Sequence, residues 1–306
     1  MSEAPLPPGP FEGPARRADV VARVTAHPVS GSPAGMRAAF ARLALGAVPR
    51  GAPDLAAIGA ATGVEVAPGP GTPPGLILTP TGGAEGAPVL WFHGGGYVFG
   101  SPETHLRPAA ALARMTGRRV ILPRYPLAPE ARWPAQLDHA LEACAAQDGP
   151  VVLAGDSAGG HLALVAALAL ARAGSPAAAL VLFSPNTDRS GLSRTRAAMS
   201  GDDPMNDDED DAALAKLCFG DMPADHPHVS PLLDDLSLLP PTHVEVGDPE
   251  VLLDDSRLLA ERGSAAGARI SLHVAPGLLH MGQLWTPWWD AADASLSRVA
   301  AHLRDI

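Results

Sequence analysis

Ser157 stands among small residues, Gly155-Asp156-Ser157-Ala158-Gly159-Gly160. The apolar run Val151-Val152-Leu153-Ala154 precedes them, and an Ala/Leu-rich segment ending at Arg172-Ala173-Gly174 follows. The run has the length of a buried strand, and the segment reads as a helix with a glycine stop. Strand, G-x-S-x-G and helix, in that order, form the context of a nucleophile elbow. The small neighbours let the chain reverse within a few residues while the serine sits on strained backbone. Its hydroxyl would lie at a helix N-terminus, where the dipole favours a developing oxyanion. A phosphate loop also joins strand to helix through glycines, but its G-x-x-x-x-G-K-[ST] pattern needs a lysine that this stretch lacks.

A serine alone is a weak nucleophile. It needs a base, an acid to orient the base, and donors for the oxyanion. After this kind of elbow the order along the chain is serine, acid, histidine. His280 lies in Pro276-Gly277-Leu278-Leu279-His280-Met281-Gly282, directly after the last expected strand. His161 falls on the elbow helix, His243 and His273 within strands, and His302 near the chain end. His226 and His228 form an H-x-H pair near Asp221 and Asp225, which would need a third convergent ligand to hold a metal. The acid belongs in the loop after the strand 243–246, where Asp248 and Glu250 both stand. Asp254 and Asp255 open the next helix and suit N-terminal capping. Some sixty residues before Ser157, His93-Gly94-Gly95-Gly96 follows a strand; its bare N–H groups and that of Ala158 could face one spot.

Alternation positions these residues. Helices are expected over 15–27, 33–46, 104–116, 135–146, 253–266 and 288–303. Residues 63–66 and 75–78 suit a hairpin-like antiparallel start. Strands at 87–92, 120–122, 151–154, 179–183, 243–246 and 269–274 alternate with helices, so a mostly parallel sheet with helices on both faces is expected. Residues 186–230 break the alternation. Their acidic run Asp207–Asp211 would open a helix over 212–219, since the first turn favours negative charge. This gives N-terminal cap helices in 1–50, a catalytic domain in 51–185 and 231–306, and a cap insertion at 186–230.

Composition narrows the function classes. The chain has 306 residues, is 46% hydrophobic and carries a formal charge of −11. That balance argues against nucleic acid and against an anionic membrane surface. Cys144 and Cys218 are the only cysteines, which reads as reduced thiols in a cytoplasmic protein. Residues 1–13 read as a loose Pro-rich leader without a signal peptide's charged start and apolar stretch. The longest apolar stretch, 162–171, is too short for a bilayer.

Taken together, His93-Gly94-Gly95-Gly96-Tyr97-Val98-Phe99-Gly100-Ser101, Tyr125-Pro126-Leu127-Ala128-Pro129-Glu130 and Gly155-Asp156-Ser157-Ala158-Gly159-Gly160 resemble the hormone-sensitive lipase family of bacterial esterases (family IV). The resemblance runs over nearly the whole chain. It implies an α/β-hydrolase fold with an eight-stranded sheet and a helical cap, and hydrolysis of short-chain esters without cofactor or metal. It implies Ser157, Glu250 and His280 as the triad and Gly95, Gly96 and Ala158 as oxyanion donors. Glu250-Val251-Leu252-Leu253-Asp254 matches the family's Asp-Pro-Leu-x-Asp motif, with Glu in the acid position, while Asp248-Pro249 mimics its first two residues out of register. Tyr125-Pro126 stands where the family has Tyr-Arg, a change expected to matter only structurally. Tyr97, Met205 and Trp285, with Met199, Phe219, Met222 and Trp288, are candidates to line the acyl pocket. The expected partner is a small-molecule ester, with a homodimer possible. Lactone or amide hydrolysis on the same triad, or ligand binding without catalysis, are the alternatives.

Overall fold

A computed structural model describes residues 9–48, 54–72, 74–304 and 306. Residues 1–8 of the expected leader lie outside them. In chain order the elements are α1 (Arg17–Ala26), α2 (Pro33–Leu45), α3 (Leu55–Thr62), β1 (Val64–Gly69), β2 (Gly75–Pro80), β3 (Val89–Phe92), α4 (Leu106–Thr116), β4 (Val120–Leu122), α5 (Ala135–Ala145), β5 (Val152–Asp156), α6 (Ala158–Arg172), β6 (Ala179–Phe183), α7 (Thr195–Met199), α8 (Asp208–Phe219), β7 (Thr242–Gly247), α9 (Leu253–Ala265), β8 (Ile270–Ala275) and α10 (Asp290–Leu303). The strands form an eight-stranded sheet in the order β1-β2-β4-β3-β5-β6-β7-β8. β1, β2 and β4 pair antiparallel. From β3 through β5, β6 and β7 to β8 every pairing is parallel. The mostly parallel sheet with an antiparallel start is the architecture the alternation predicts.

The chain divides into two compact units. The first takes the described residues of Met1–Pro88, Phe99–Arg124 and Gly282–Asp305. In it α1 and α2 occupy nearly the expected spans, and Ser32 caps α2 by accepting the Gly35 N–H at 3.2 Å. Phe40 is buried against Phe99, with ring centroids 5.0 Å apart. Helix α3 was not expected from the sequence, although its signals were local: Asp54 accepts the Ala57 N–H, and Gly63 ends the helix in the left-handed region.

The second unit spans Val89–Val98 and Tyr125–Met281. Every residue of β3, β5 and β6 is buried, which explains their unbroken apolar runs. Helix α6 is buried from Ala158 through Leu168, so it needs no polar face until its last turn. It approaches β3 so closely that a Cβ on Gly159 would collide with the Phe92 carbonyl. That contact is why the elbow continues with glycine. Helix α8 begins four residues earlier than expected, because the acids Asp208–Asp211 form its first turn rather than preceding it. Asp207 caps it by accepting the Glu209 N–H at 2.9 Å. Among the described residues no helix is long and apolar enough to cross a membrane.

Candidate active site

Strand β5 delivers Ser157 to a sharp turn with φ 54° and ψ −121°, and α6 starts at the next residue. An L side chain rarely adopts such a backbone, so the surroundings must hold it. They do so from both sides: the Ser157 N–H donates to the Phe183 carbonyl at 2.9 Å, and the Ser157 carbonyl accepts from His161 and Asn186. Among the described residues the other non-glycine residues at positive φ are Tyr97, Ser184 and Met281. Each stands in a loop that meets the elbow or its partners, the clustering expected where backbone strain serves a site.

Asp156, next to Ser157, ties the elbow to the glycine loop. Its carboxylate is 2% exposed and accepts from the Trp91 indole N–H at 2.8 Å and from the Gly94 N–H at 2.9 Å. With the Gly94 N–H taken, those of Gly95, Gly96 and Ala158 donate to no protein group among the described residues. From the other side Tyr125 donates its hydroxyl to the His93 carbonyl at 2.6 Å and stacks on the His93 ring. The Tyr-Pro-Leu-Ala-Pro-Glu segment therefore supports the backbone of the glycine loop.

His280 arrives on the loop after β8. A Cβ on Gly94 would lie 2.6 Å from the Met281 sulfur, so the histidine loop packs on the glycine loop. The His280 Nδ1 lies 2.8 Å from Glu250 Oε2. Glu250 is fully buried, and its other oxygen, Oε1, accepts from the Ser184 hydroxyl at 2.8 Å and the Gly247 N–H at 2.5 Å. An ionised carboxylate only accepts hydrogen bonds. Nδ1 must therefore carry the proton, which leaves the lone pair on Nε2. Asp248, the other acid in this loop, is exposed and accepts the Gly277 N–H at 2.7 Å. Of the two acids in this loop, Glu250 and not Asp248 touches the imidazole. Burial by itself would lower the basicity of His280. The hydrogen bond and charge of Glu250, helped by the charges of Asp203 and Asp156, hold it above its ordinary value instead.

Residues of the stretch 186–230 reach this region. Asp203, 7% exposed, accepts the Val251 N–H, next to Glu250, at 3.1 Å. A Cβ on Gly96 would collide with Leu214 of α8, so that helix lies against the glycine loop. Of the pocket candidates, Met205 is half-buried beside Asp203, to which its N–H donates at 2.9 Å. Tyr97 is sealed: its hydroxyl lies 2.6 Å from His161 Nδ1, and its ring meets Tyr125, Trp133 and Phe219 edge-on. Trp285 belongs to the first unit, fully buried and edge-on to Phe11. His228 accepts from the Trp133 indole at 3.2 Å. No three potential ligands converge for a metal among the described residues.

A family model for the alpha/beta hydrolase fold matches residues 89–284. An acetyl-hydrolase of Streptomyces hygroscopicus is 31% identical over 250 residues, 76% of this chain and 84% of that protein. An esterase of Acinetobacter venetianus is 32% identical over 69% of this chain and 73% of its own length. A crystal structure of an esterase from the bacterial hormone-sensitive lipase family superposes with a TM-score of 0.84 at 30% identity, covering 94% of this chain and 97% of that one. The chain belongs to the bacterial hormone-sensitive lipase family of α/β hydrolases. A second such lipase structure, from a metagenome library, gives 0.83 at 29% identity over 95% and 98% of the two chains.

Proposed function

We propose that the protein is a carboxylic ester hydrolase working through Ser157, His280 and Glu250. The single observation that carries this reading is the 2.8 Å contact between Glu250 and His280 Nδ1, because it leaves Nε2 basic. The Ser157 hydroxyl attacks the ester carbonyl while Nε2 takes its proton, forming a C–O bond and an oxyanion. The N–H groups of Gly95, Gly96 and Ala158 receive that oxyanion. The imidazolium then protonates the departing alkoxide as the ester C–O bond breaks, leaving an acyl-serine. Water, deprotonated by His280, attacks the acyl carbon, and the proton returns to Ser157 as the acid leaves. The similarity to an acetyl-hydrolase and to an esterase supports an ester as the substrate class.

Residues 186–230 act as a cap over this site. The support is Leu214 against Gly96 at one end and Asp203 against Val251 at the other. A cap seated this close leaves room for a short acyl group, so acetyl and butyryl esters and small lactones are the preferred substrates. The test is hydrolysis of p-nitrophenyl acetate and butyrate by wild type and Ser157→Ala. The variant should lose at least about 10³-fold in kcat. Equal rates would end the reading, and a preference for long-chain emulsions over butyrate would remove the cap's part in it.

A further inference from the structure

Three carboxylates act on the charge of His280: Glu250, Asp203 and Asp156. Glu250 holds Nδ1, and Asp156 holds Trp91 and Gly94. Asp203 has no part in the mechanism above. It lies between α7 and α8, 7% exposed, and its two oxygens accept only backbone N–H groups, Met205 at 2.9 Å and Val251 at 3.1 Å. Among the described residues no arginine or lysine forms an ion pair with it, unlike Asp211 and Asp255 of the same region. A buried carboxylate is costly unless a cation accompanies it. The cation this site can offer is the imidazolium that forms on His280 in each half of the reaction.

We propose that Asp203 is a positioning residue, a second carboxylate that stabilises the His280 imidazolium and makes that stabilisation depend on the insertion being seated on the Val251 N–H. The proposal rests on the ester-hydrolase reading and deepens it. The titratable groups facing Asp203 are His280, from the loop after β8, and Glu250, from the turn after β7. Those facing His280 are Glu250, Asp203 and Asp156. Burial pushes the Asp203 carboxyl up to about 6, with Glu250 adding to the rise and His280 opposing it. Asp203 is therefore ionised at neutral pH, when the cap is seated and His280 must gain a proton, and it loses its charge not far below.

The experiment is the pH dependence of p-nitrophenyl acetate hydrolysis by wild type and Asp203→Asn. Asparagine keeps the size and one acceptor but removes the charge. The expected result is a kcat lower by about 10-fold and a KM changed less than about twofold. The acid limb of kcat/KM should also move toward lower pH by roughly one unit, since His280 loses a charge that raised it. A fall in kcat with the acid limb unmoved would assign Asp203 a structural role only and overturn the proposal, as would no change at all. Should Asp203→Asn fail to fold, the ¹H signal of His280 Nδ1–H in the wild type gives a second reading. It should titrate in two steps, one of them near the Asp203 value; a single step would overturn the coupling. Unimpaired hydrolysis by Ser157→Ala would instead overturn the ester-hydrolase reading, which the NMR titration does not depend on.

Discussion

Among the carboxylates that the second unit buries, two pairs are held in opposite ways. Asp211 and Asp255 share a guanidinium. Arg196 donates to Asp255 at 2.8 and 3.1 Å and to Asp211 at 3.1 Å, while Arg189 reaches Asp211 at 3.2 Å. Backbone N–H groups of Thr187 and Asp188 complete the shell of Asp255. Among the described residues no guanidinium pairs with Glu250 or Asp203; neutral N–H and O–H donors and one imidazole bond to them. A guanidinium never gives up its proton in this pH range, so the first pair faces a permanent positive charge and serves as an anchor for α7 and α8. An imidazole gains and loses a proton, so the second pair faces a charge that comes and goes. Burial alone would raise Asp211, but Arg189 and Arg196 hold it far below the usual carboxylate range. Asp203, without such a partner, lies at about 6.

The largest effect should come from cutting the second set at Glu250. Glu250→Gln preserves shape but allows Nδ1 to face an N–H donor, which favours the wrong tautomer. The kcat should fall by about 10⁴-fold, as when a triad aspartate becomes asparagine. Asp248→Asn should leave kcat within about twofold, because the exposed Asp248 carboxylate accepts the Gly277 N–H and the imidazole pairs with Glu250. The comparison breaks if Asp248→Asn is the damaging change of the two.

Cutting the first set should show in stability instead. Arg196→Met leaves Asp211 and Asp255 buried without their main partner, a loss of roughly 3–5 kcal/mol. Thermal unfolding and urea titration measure it, while kcat per folded molecule should stay near wild type. The pH sense follows from Asp211. Its folded value is depressed, so the stability it contributes is present above the ordinary carboxylate value of about 4 and is lost only as pH falls toward the folded one. The stability of wild type over Arg196→Met should therefore hold from neutral pH to about 5 and shrink below about 4. A variant as stable as wild type at pH 7 would show that the network is not an anchor.

The two sets also differ in how far the sequence disclosed them. The elbow is local: strand, turn and helix lie within some twenty-five residues, and close backbone approaches at the turn explain Gly155 and Gly159. His280 and the glycine loop follow from order along the chain. The supporting carboxylates do not. Asp156 reaches Gly94 across 62 residues, and nothing in its spacing marks it apart from its neighbour Ser157. Asp203 lies outside the acidic run Asp207–Asp211 that the sequence singles out, and only tertiary packing buries it. Asp254 and Asp255 read as caps for α9. Instead Asp254 accepts the N–H groups of Arg194 and Thr195 where α7 begins, and Asp255 becomes the hub for Arg196. Tyr97, next to the glycine loop in sequence, reads as a pocket residue, yet its positive φ turns it into the aromatic cluster with His161. In each case the type of residue was legible and its direction was not, since direction depends on which distant segment folds against it.

The smallest effect concerns how a site carboxylate is held when no guanidinium fixes it. Ser184 follows β6 with φ 45°, and its N–H donates to the Glu245 carbonyl at 2.7 Å, which pins the strained turn in place. Its hydroxyl is then one of three donors on Glu250. Ser184→Ala removes one donor from a carboxylate that keeps the other two, a loss of about 1 kcal/mol or roughly fivefold in kcat. If the effect runs through the orientation of Glu250, it should vanish in a Glu250→Gln background, where that orientation no longer serves His280. If the two losses multiply, Ser184 acts by another route, and the contrast between a carboxylate tuned by neutral donors and one locked by arginine loses its support at this site.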